Sequence, residues 1–173
     1  TLDLHKELEA KLAKMKGCED AIIFTSGYSS NVGCVSALVR KNDVAINDRL
    51  NHASIIDGCR LSGGTLRTFK HNDIANLEKV LQSTEEQGLL GKLIIVDGVF
   101  SMDGDISNLP EIKAIADRYG ARIMIDEAHA TGVIGQNGRG TPEHFNMEGQ
   151  IDLVAGTLSK ALAVVGGFVA STK

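Results

Sequence analysis

Short apolar runs alternate with longer amphipathic stretches along most of the chain. Runs rich in β-branched residues predict seven strands, at Ala21–Phe24, Val44–Asn47, Leu66–Phe69, Leu93–Val96, Arg122–Ile125, Leu153–Ala155 and Phe168–Ala170. Leucines at helical spacing predict a first helix that ends at Gly17. The remaining amphipathic stretches predict helices over Asn31–Arg40, His52–Leu61, Ile74–Ser83 and Pro110–Tyr119.

This alternation is typical of an α/β fold with right-handed crossovers. We therefore expect a three-layer αβα architecture around a mainly parallel seven-stranded sheet. Leu93–Val96 and Ile123–Ile125 are apolar at every position, as expected for strands covered on both faces. No linker or repeat divides the 173 residues, so a single domain over residues 1–173 is predicted. Because the chain opens within a predicted helix and stops directly after a strand, we expect a fragment of a longer protein.

Composition excludes several classes of function. The net charge is −4 without a concentrated basic face, which argues against a nucleic-acid partner. No apolar run approaches the roughly 20 residues that span a bilayer, so no membrane association is expected. The three cysteines lack CxxC spacing, which argues against disulfides and zinc and favours the cytoplasm. Asp103-Gly104-Asp105 departs from the calcium-loop pattern, and no metal site is predicted.

Polar residues that follow the strands are the candidates for chemistry, because ligands of open α/β sheets bind beyond the carboxyl ends of the strands. The first strand leads into Thr25–Asn31, a glycine-containing turn before a helix. Free N–H groups at such a helix start can hold a phosphate, although a serine-capped structural turn explains the same residues. The chain contains no GxxxxGK[ST] phosphate loop.

Asp126-Glu127-Ala128-His129 follows the fifth strand and spells the DEAH box of nucleic-acid-dependent NTPases. Without a phosphate loop and a basic surface that interpretation is disfavoured, while a structural Asp–His pair stays open. Glycines further on imitate a dinucleotide-binding motif, but no helical pattern follows them and a surface loop is expected. They are Gly132, Gly135, Gly138 and Gly140. The other histidines, His5, His71 and His144, have no supporting neighbours in sequence and are expected to be ordinary surface or packing residues.

Lys160 follows the sixth strand within Gly156–Leu162. A single lysine in a loop is ordinarily solvated. A buried lysine beyond a sheet edge, with its pKa lowered by desolvation, is instead what capture of a carbonyl group requires. The neighbouring hydroxyls of Thr157 and Ser159 could reach a phosphate.

Taken together, these segments resemble fold-type I enzymes that use pyridoxal 5′-phosphate (PLP), and more narrowly the α-oxoamine synthase family. The resemblance covers essentially the whole chain and is carried by Asn51–Gly58, Asp97–Asp105, Asp126–His129 and Gly156–Leu162. It implies the large PLP-binding domain, without the family's N-terminal segment and C-terminal small domain. It further implies a homodimer with a shared active site and condensation of an amino acid with an acyl-CoA.

The resemblance also implies a role for each site residue. Lys160 would form the Schiff base with PLP and later remove the α-proton of the substrate. Asp126 would pair with the pyridine nitrogen, which keeps the ring an electron sink. His52 would stack on the ring, Ser101 and His129 would bond its phenolic oxygen, and Gly27, Tyr28 and Thr157 would hold the phosphate.

Within the family, Leu50–Leu61 most resembles glycine C-acetyltransferases, which favours glycine and acetyl-CoA as substrates. The alternative is 8-amino-7-oxononanoate synthase, which condenses pimeloyl-CoA with alanine in biotin synthesis. A hypothesis of another class is a fragment that binds cofactor or dimerises without turnover. The chain departs from the family after Lys160, where Ala163 stands in place of the usual glycine.

Overall fold

A computed structural model describes residues 2–172 of the chain. The helices are α1 (Asp3–Lys16), α2 (Gly27–Leu38), α3 (Ala53–Ser62), α4 (Ile74–Glu86), α5 (Leu109–Tyr119) and α6 (Thr141–His144). The strands are β1 (Asp20–Phe24), β2 (Val44–Asp48), β3 (Thr65–Phe69), β4 (Lys92–Asp97), β5 (Arg122–Asp126), β6 (Leu153–Thr157) and β7 (Gly167–Ser171). Thr1 and Lys173, the ends of the predicted domain, lie outside the described residues. Within the described part, every helix is too short or too polar to cross a membrane.

All seven strands form one sheet in the order β1-β7-β6-β5-β4-β2-β3. The pairs from β3 through β6 are parallel, whereas β7 runs antiparallel to both of its neighbours, β1 and β6. The predicted mainly parallel seven-stranded α/β fold is therefore confirmed. Its consequence for function is that the carboxyl ends of every strand but β7 meet at one edge of the sheet.

Helices cover both faces of the sheet, which explains why the central strands are apolar throughout. Along β4, Ile94 and Val96 pack with α4 and α5 in one core cluster. Leu93 and Ile95 point the other way and pack with α2 and α3. A third cluster joins α1 to β1 and β7 around the buried ring of Phe168.

The observed helices differ from the predicted ones mainly at their ends. Helix α2 starts at Gly27, four residues before the predicted start, because the Ser26 side chain accepts the N–H of Ser29 and caps the helix there. Helix α4 continues three residues beyond Ser83 to Glu86. The short α6 was not predicted. It follows the glycine-rich segment from Gly132 to Gly140, which forms the expected loop.

A buried ion pair attaches α1 to the segment after β5. Lys16 Nζ lies 3.6 Å from Glu127 Oε2, and the two side chains are 1% and 0% exposed. Lys16 also donates to Thr131 Oγ1 at 2.7 Å and to the carbonyl of Arg139 at 2.6 Å. Burial lowers the pKa of Lys16 and raises that of Glu127, while their mutual attraction opposes both shifts. The pair therefore holds in place the segment that begins directly after Asp126.

His71 was expected to be an ordinary surface or packing residue without supporting neighbours, and the structure gives it two acidic neighbours from distant parts of the chain. Its Nδ1 lies 3.0 Å from Asp48 Oδ1, at the end of β2, and its Nε2 lies 2.6 Å from Asp105 Oδ2. Burial lowers the pKa of His71, but the two carboxylates outweigh that effect and leave the pKa raised above its usual value. These partners are distant in sequence, so only the folded chain brings them together. The contacts attach the segment that contains Ser101 to the sheet.

Replacing Lys16 with methionine should lower the free energy of unfolding by about 3–5 kcal/mol, because Glu127 is left buried without a partner charge. Urea unfolding of the purified variants measures this change. The double variant Lys16→Met/Glu127→Gln should recover most of the loss, and Lys14→Met, at an exposed position of the same helix, serves as control. Equal losses in the single and double variants would contradict the interpretation.

The His71 contacts should stabilise the fold most at low pH. The folded chain binds the His71 proton more tightly than the unfolded chain, so the contribution is complete below about pH 6.5 and is lost as the pH rises through the raised pKa. Urea unfolding at pH 6 and pH 9 should therefore show a smaller difference between wild type and His71→Gln at the higher pH. His144→Gln, at an exposed histidine, is the control. A difference that grew with pH would refute this account.

Candidate active site

A cavity of about 240 Å³ opens at the sheet edge where the carboxyl ends of the strands meet. Its walls come from segments that follow β1, β2, β4, β5 and β6. The lining residues are Ser26, Gly27, Tyr28, Asn31, His52, Ser54, Asp97, Asp126, Ala128, His129, Thr157, Ser159 and Lys160. Seven of the eight residues predicted for the site are therefore in one cavity.

Lys160 and His129 contact each other at one wall of the cavity. Lys160 Nζ lies 2.8 Å from His129 Nε2. Lys160 was expected to be buried, and this is wrong for the residue as a whole, which is exposed. Partial desolvation nevertheless lowers the pKa of its amine, against the opposing charges of Asp126 and Asp97. The pKa of His129 is also lowered, first by burial and then by the charge of Lys160, so a neutral imidazole accepts the hydrogen bond from Lys160.

Two carboxyl groups lie at the floor of the cavity. Parallel pairing of β4 with β5 sets Asp97 beside Asp126. Asp126 accepts the N–H of Ala128 on Oδ1 at 2.9 Å and the amide of Asn31 on Oδ2 at 2.6 Å. Burial and the neighbouring Asp126 charge raise the pKa of Asp97 to about 8. Asp97 therefore takes up a proton more readily than an ordinary carboxyl group does, which reduces the negative charge at the floor.

His52 stands at the start of α3. Its Nδ1 accepts the N–H of Ser54 at 3.2 Å and lies 2.7 Å from the Ser54 hydroxyl. The backbone N–H of His52 points toward Asp97 Oδ1 at 3.4 Å. These contacts hold the imidazole at the cavity wall.

The start of α2 forms the remaining wall. The first N–H groups of a helix have no acceptor within it, and Ser26 satisfies only that of Ser29. Gly27 packs so tightly on β6 that an added Cβ would lie 2.8 Å from Thr157 Cβ. Thr157 Oγ1 in turn lies 2.8 Å from Ser159 Oγ. Hydroxyls and helix N–H groups thus converge where the sequence predicted a phosphate.

Ser101 is the one predicted site residue that does not line the cavity. It lies exposed in the turn after β4, within residues 100–104. Its expected contact with the cofactor oxygen therefore stays a prediction. Tyr28 lines the cavity, and its hydroxyl donates to Asp57 Oδ2 at 2.7 Å, which fixes the ring beside the opening.

The departure from the family at Ala163 has a backbone consequence. Ala163 has a φ of 54°, in the left-handed region that glycine occupies without cost. It accepts this conformation in an exposed loop where its N–H donates to the carbonyl of Lys160 at 3.0 Å. The chain therefore keeps a glycine-like turn after Lys160 without the glycine.

Sequence reasoning missed three buried residues of the cavity: Asn31, Ser54 and Asp97. Each lies inside a segment that the motifs had marked, but none was assigned a role. Asp97 could have been found by the rule that found Asp126, because it too directly follows an apolar strand. No local signal identifies Asn31, since its partners Asp126 and Ser54 are 95 and 23 residues away. Ser54 lies two residues after His52, and that spacing could have marked it as a neighbour of the imidazole.

Known proteins with similar sequences support these motifs. The chain is 52% identical over 172 residues to 8-amino-7-oxononanoate synthase of Thermoanaerobacter pseudethanolicus, which covers 99% of this chain and 43% of that protein. It is 53% identical over 167 residues to 4-hydroxy-2,2′-bipyrrole-5-methanol synthase PigH of a Serratia species, covering 96% of this chain and 25% of that protein. The chain thus spans less than half the length of these relatives.

A solved structure shows the same architecture. Serine palmitoyltransferase from S. paucimobilis, in a structure with a bound PLP–myriocin aldimine, superposes with a TM-score of 0.91 at 42% identity. The match covers 99% of this chain and 44% of that one.

These comparisons change the order of the substrate hypotheses. The sequence motifs favoured glycine C-acetyltransferase, whereas the curated relatives include several 8-amino-7-oxononanoate synthases. The findings therefore support the alternative better than the first interpretation. Similarity to that enzyme and to serine palmitoyltransferase confirms the resemblance to α-oxoamine synthases.

A model of one protein family, described as aminotransferase class I and II, matches residues 1–173, the full length of the sequence. The predicted fold, the shared cavity and this match agree. The chain belongs to the aminotransferase class I and II family.

Proposed function

We propose that this chain is the PLP-binding part of an α-oxoamine synthase that condenses an amino acid with an acyl-CoA. The observation that carries the proposal is that an amine, a carboxylate and an imidazole share one cavity with a helix start. These are Lys160, Asp126, His52 and the first turn of α2.

The donor set of the cavity fits PLP. Lys160 offers an amine to the aldehyde, and Asp126 offers a fixed carboxylate to the ring nitrogen. The N–H groups at Gly27 and the hydroxyl of Thr157 suit a phosphate. Asn31 lines the same cavity, and its Oδ1 is buried without a hydrogen-bond partner among residues 2–172.

The residues of the chain then divide the work of the reaction. PLP, when bound, supplies an electron sink for the pair left by breaking a Cα–H bond. Lys160 moves the proton at the α-carbon, and its lowered pKa favours the neutral amine that can accept one. His129 holds Lys160 in place through its Nε2. His52 forms one wall for the ring, and Asp126 keeps a negative charge at its far edge.

The amino acid and acyl group follow from the relatives. We propose alanine and pimeloyl-CoA as the substrates, since relatives at about 50% identity are 8-amino-7-oxononanoate synthases. The protein is further proposed to act as a homodimer in the cytoplasm. Exposed apolar side chains beside the cavity support association, among them Tyr28, Leu162, Val164 and Val165.

Borohydride reduction of the chain after incubation with PLP should attach the cofactor to Lys160. Peptide mass spectrometry locates the label, and labelling should rise with pH around a midpoint below 10.5, because the pKa of the amine is lowered. Lys160→Ala should lose the label, whereas Lys41→Ala, at an exposed turn, should keep it. Labelling mainly at another lysine would refute the assignment.

Release of free CoA distinguishes the substrate pairs. With PLP bound, alanine plus pimeloyl-CoA should release CoA faster than glycine plus acetyl-CoA, measured with a thiol reagent. The reverse order would restore glycine C-acetyltransferase as the better hypothesis. Labelling of Lys160 without CoA release from any acyl-CoA would instead indicate a cofactor-binding chain without turnover.

A further inference from the structure

Two buried polar side chains connect Asp126 to His52 across three secondary-structure elements. Asn31 of α2 places Nδ2 2.6 Å from Asp126 Oδ2, at the end of β5, and 2.9 Å from Ser54 Oγ, in α3. Ser54 Oγ lies 2.7 Å from Nδ1 of His52. Asn31 and Ser54 are 2% and 0% exposed, so water competes little for these hydrogen bonds.

We infer that Asn31 and Ser54 are positioning residues, which hold the Asp126 carboxylate and the His52 imidazole as one hydrogen-bonded relay. The inference deepens the proposed function and rests on it for the identity of the ligand. Asp126 and His52 would contact different parts of that ligand, one its edge and the other its face. The relay couples their orientations although neither touches the other.

The available hydrogens determine which atom donates in each hydrogen bond of the relay. The amide of Asn31 has two hydrogens, which match its two acceptors, Asp126 Oδ2 and Ser54 Oγ. Because Ser54 Oγ accepts from Asn31, its own hydrogen is free to donate to His52 Nδ1. The backbone N–H of Ser54 points to the same nitrogen at 3.2 Å, a longer contact that favours the same acceptor role. A neutral His52 therefore carries its proton on Nε2.

The amide of Asn31 cannot be turned around without cost. A flipped amide would put Oδ1 against the Asp126 carboxylate and turn an attraction into a repulsion between oxygens. It would also remove the donor to Ser54. The orientation with Oδ1 unpaired is consequently the one that the carboxylate selects.

A change of the His52 tautomer on substitution of Asn31 would distinguish the relay from a purely structural role of Asn31. Asn31 has no hydrogen bond to His52, so removing its amide can change the His52 tautomer only through Ser54. Loss of packing alone, the structural explanation, would leave the tautomer as it is.

The test measures the ¹⁵N shifts of the His52 ring in the chain without cofactor, at a pH where the ring is neutral. The wild type should show the Nε2–H tautomer. Ser54→Ala and Asn31→Ala should each raise the fraction of the Nδ1–H tautomer above its wild-type level, although the backbone N–H of Ser54 remains, while Ser54→Thr, which retains the hydroxyl, should behave as wild type. Ser30→Ala is the matched control, because Ser30 is a buried serine of α2 bonded to Gly27 and Gly156 instead of to the relay.

A wild-type ring protonated on Nδ1, or an Asn31→Ala variant with the wild-type tautomer, would overturn the inference. Should Asn31→Ala fail to fold, identical tautomers in Ser54→Ala and Ser54→Thr would overturn the inference as well.

A second readout is the dissociation constant of PLP. Asn31→Ala and Ser54→Ala should each raise it about tenfold, equivalent to about 1.4 kcal/mol, and the double variant should raise it little further, because both break one relay. A hundredfold rise of the dissociation constant in the double variant would show that the two side chains act independently, which would contradict the relay. A wild type that does not bind PLP would refute the proposed function, while the tautomers would still decide the relay.

Discussion

Parallel pairing of β4, β5 and β6 is the constraint on which the site depends. Because the carboxyl ends of parallel strands meet at one edge, the chain delivers Asp97, Asp126 and Thr157 to the same place from segments far apart in sequence. The antiparallel β7 preserves this arrangement. β7 lies between β6 and β1 and runs antiparallel to both, so β1 runs parallel to β6. The carboxyl end of β1 therefore lies at the same edge, and the start of α2, which follows β1, lines the cavity.

Burying acids at this edge carries an electrostatic cost, and the structure offsets it in three different ways. Asp97 takes up a proton more readily than an ordinary carboxyl group does, since burial and the neighbouring charge raise its pKa to about 8. Asp126 accepts two N–H donors. Glu127, which follows it directly, points away from the cavity into an ion pair with Lys16. Adjacent residues thus serve different purposes: Asp126 lines the cavity and Glu127 holds the segment in place.

The hydrogen-bond relay and the Lys16–Glu127 pair support Asp126 from two sides. The relay orients its carboxylate from α2 and α3, and the ion pair fixes the following backbone from α1. Lys160, by contrast, projects from an exposed loop, where its amine contacts His129. A carboxylate fixed by two donors and an exposed amine suit the proposed reaction, in which a lysine transfers a proton beside a held ring.

The sequence by itself predicted all seven strands and five of the six helices in their order along the chain, because short-range patterns encode them, and through its motifs it proposed Lys160, Asp126, His52 and His129 as site residues. Apolar runs mark strands, and polar residues after those runs mark the ligand edge. Helix ends were less accurate, since the cap at Ser26 depends on one side-chain hydrogen bond. Only the tertiary structure decided that Asn31 and Ser54 connect Asp126 to His52, that His71 lies between Asp48 and Asp105, and that Lys16 pairs with Glu127. Apart from the local contact of Ser54 with His52, these contacts join residues 23 to 111 positions apart, and no local pattern encodes a partner that arrives through the pairing of distant strands.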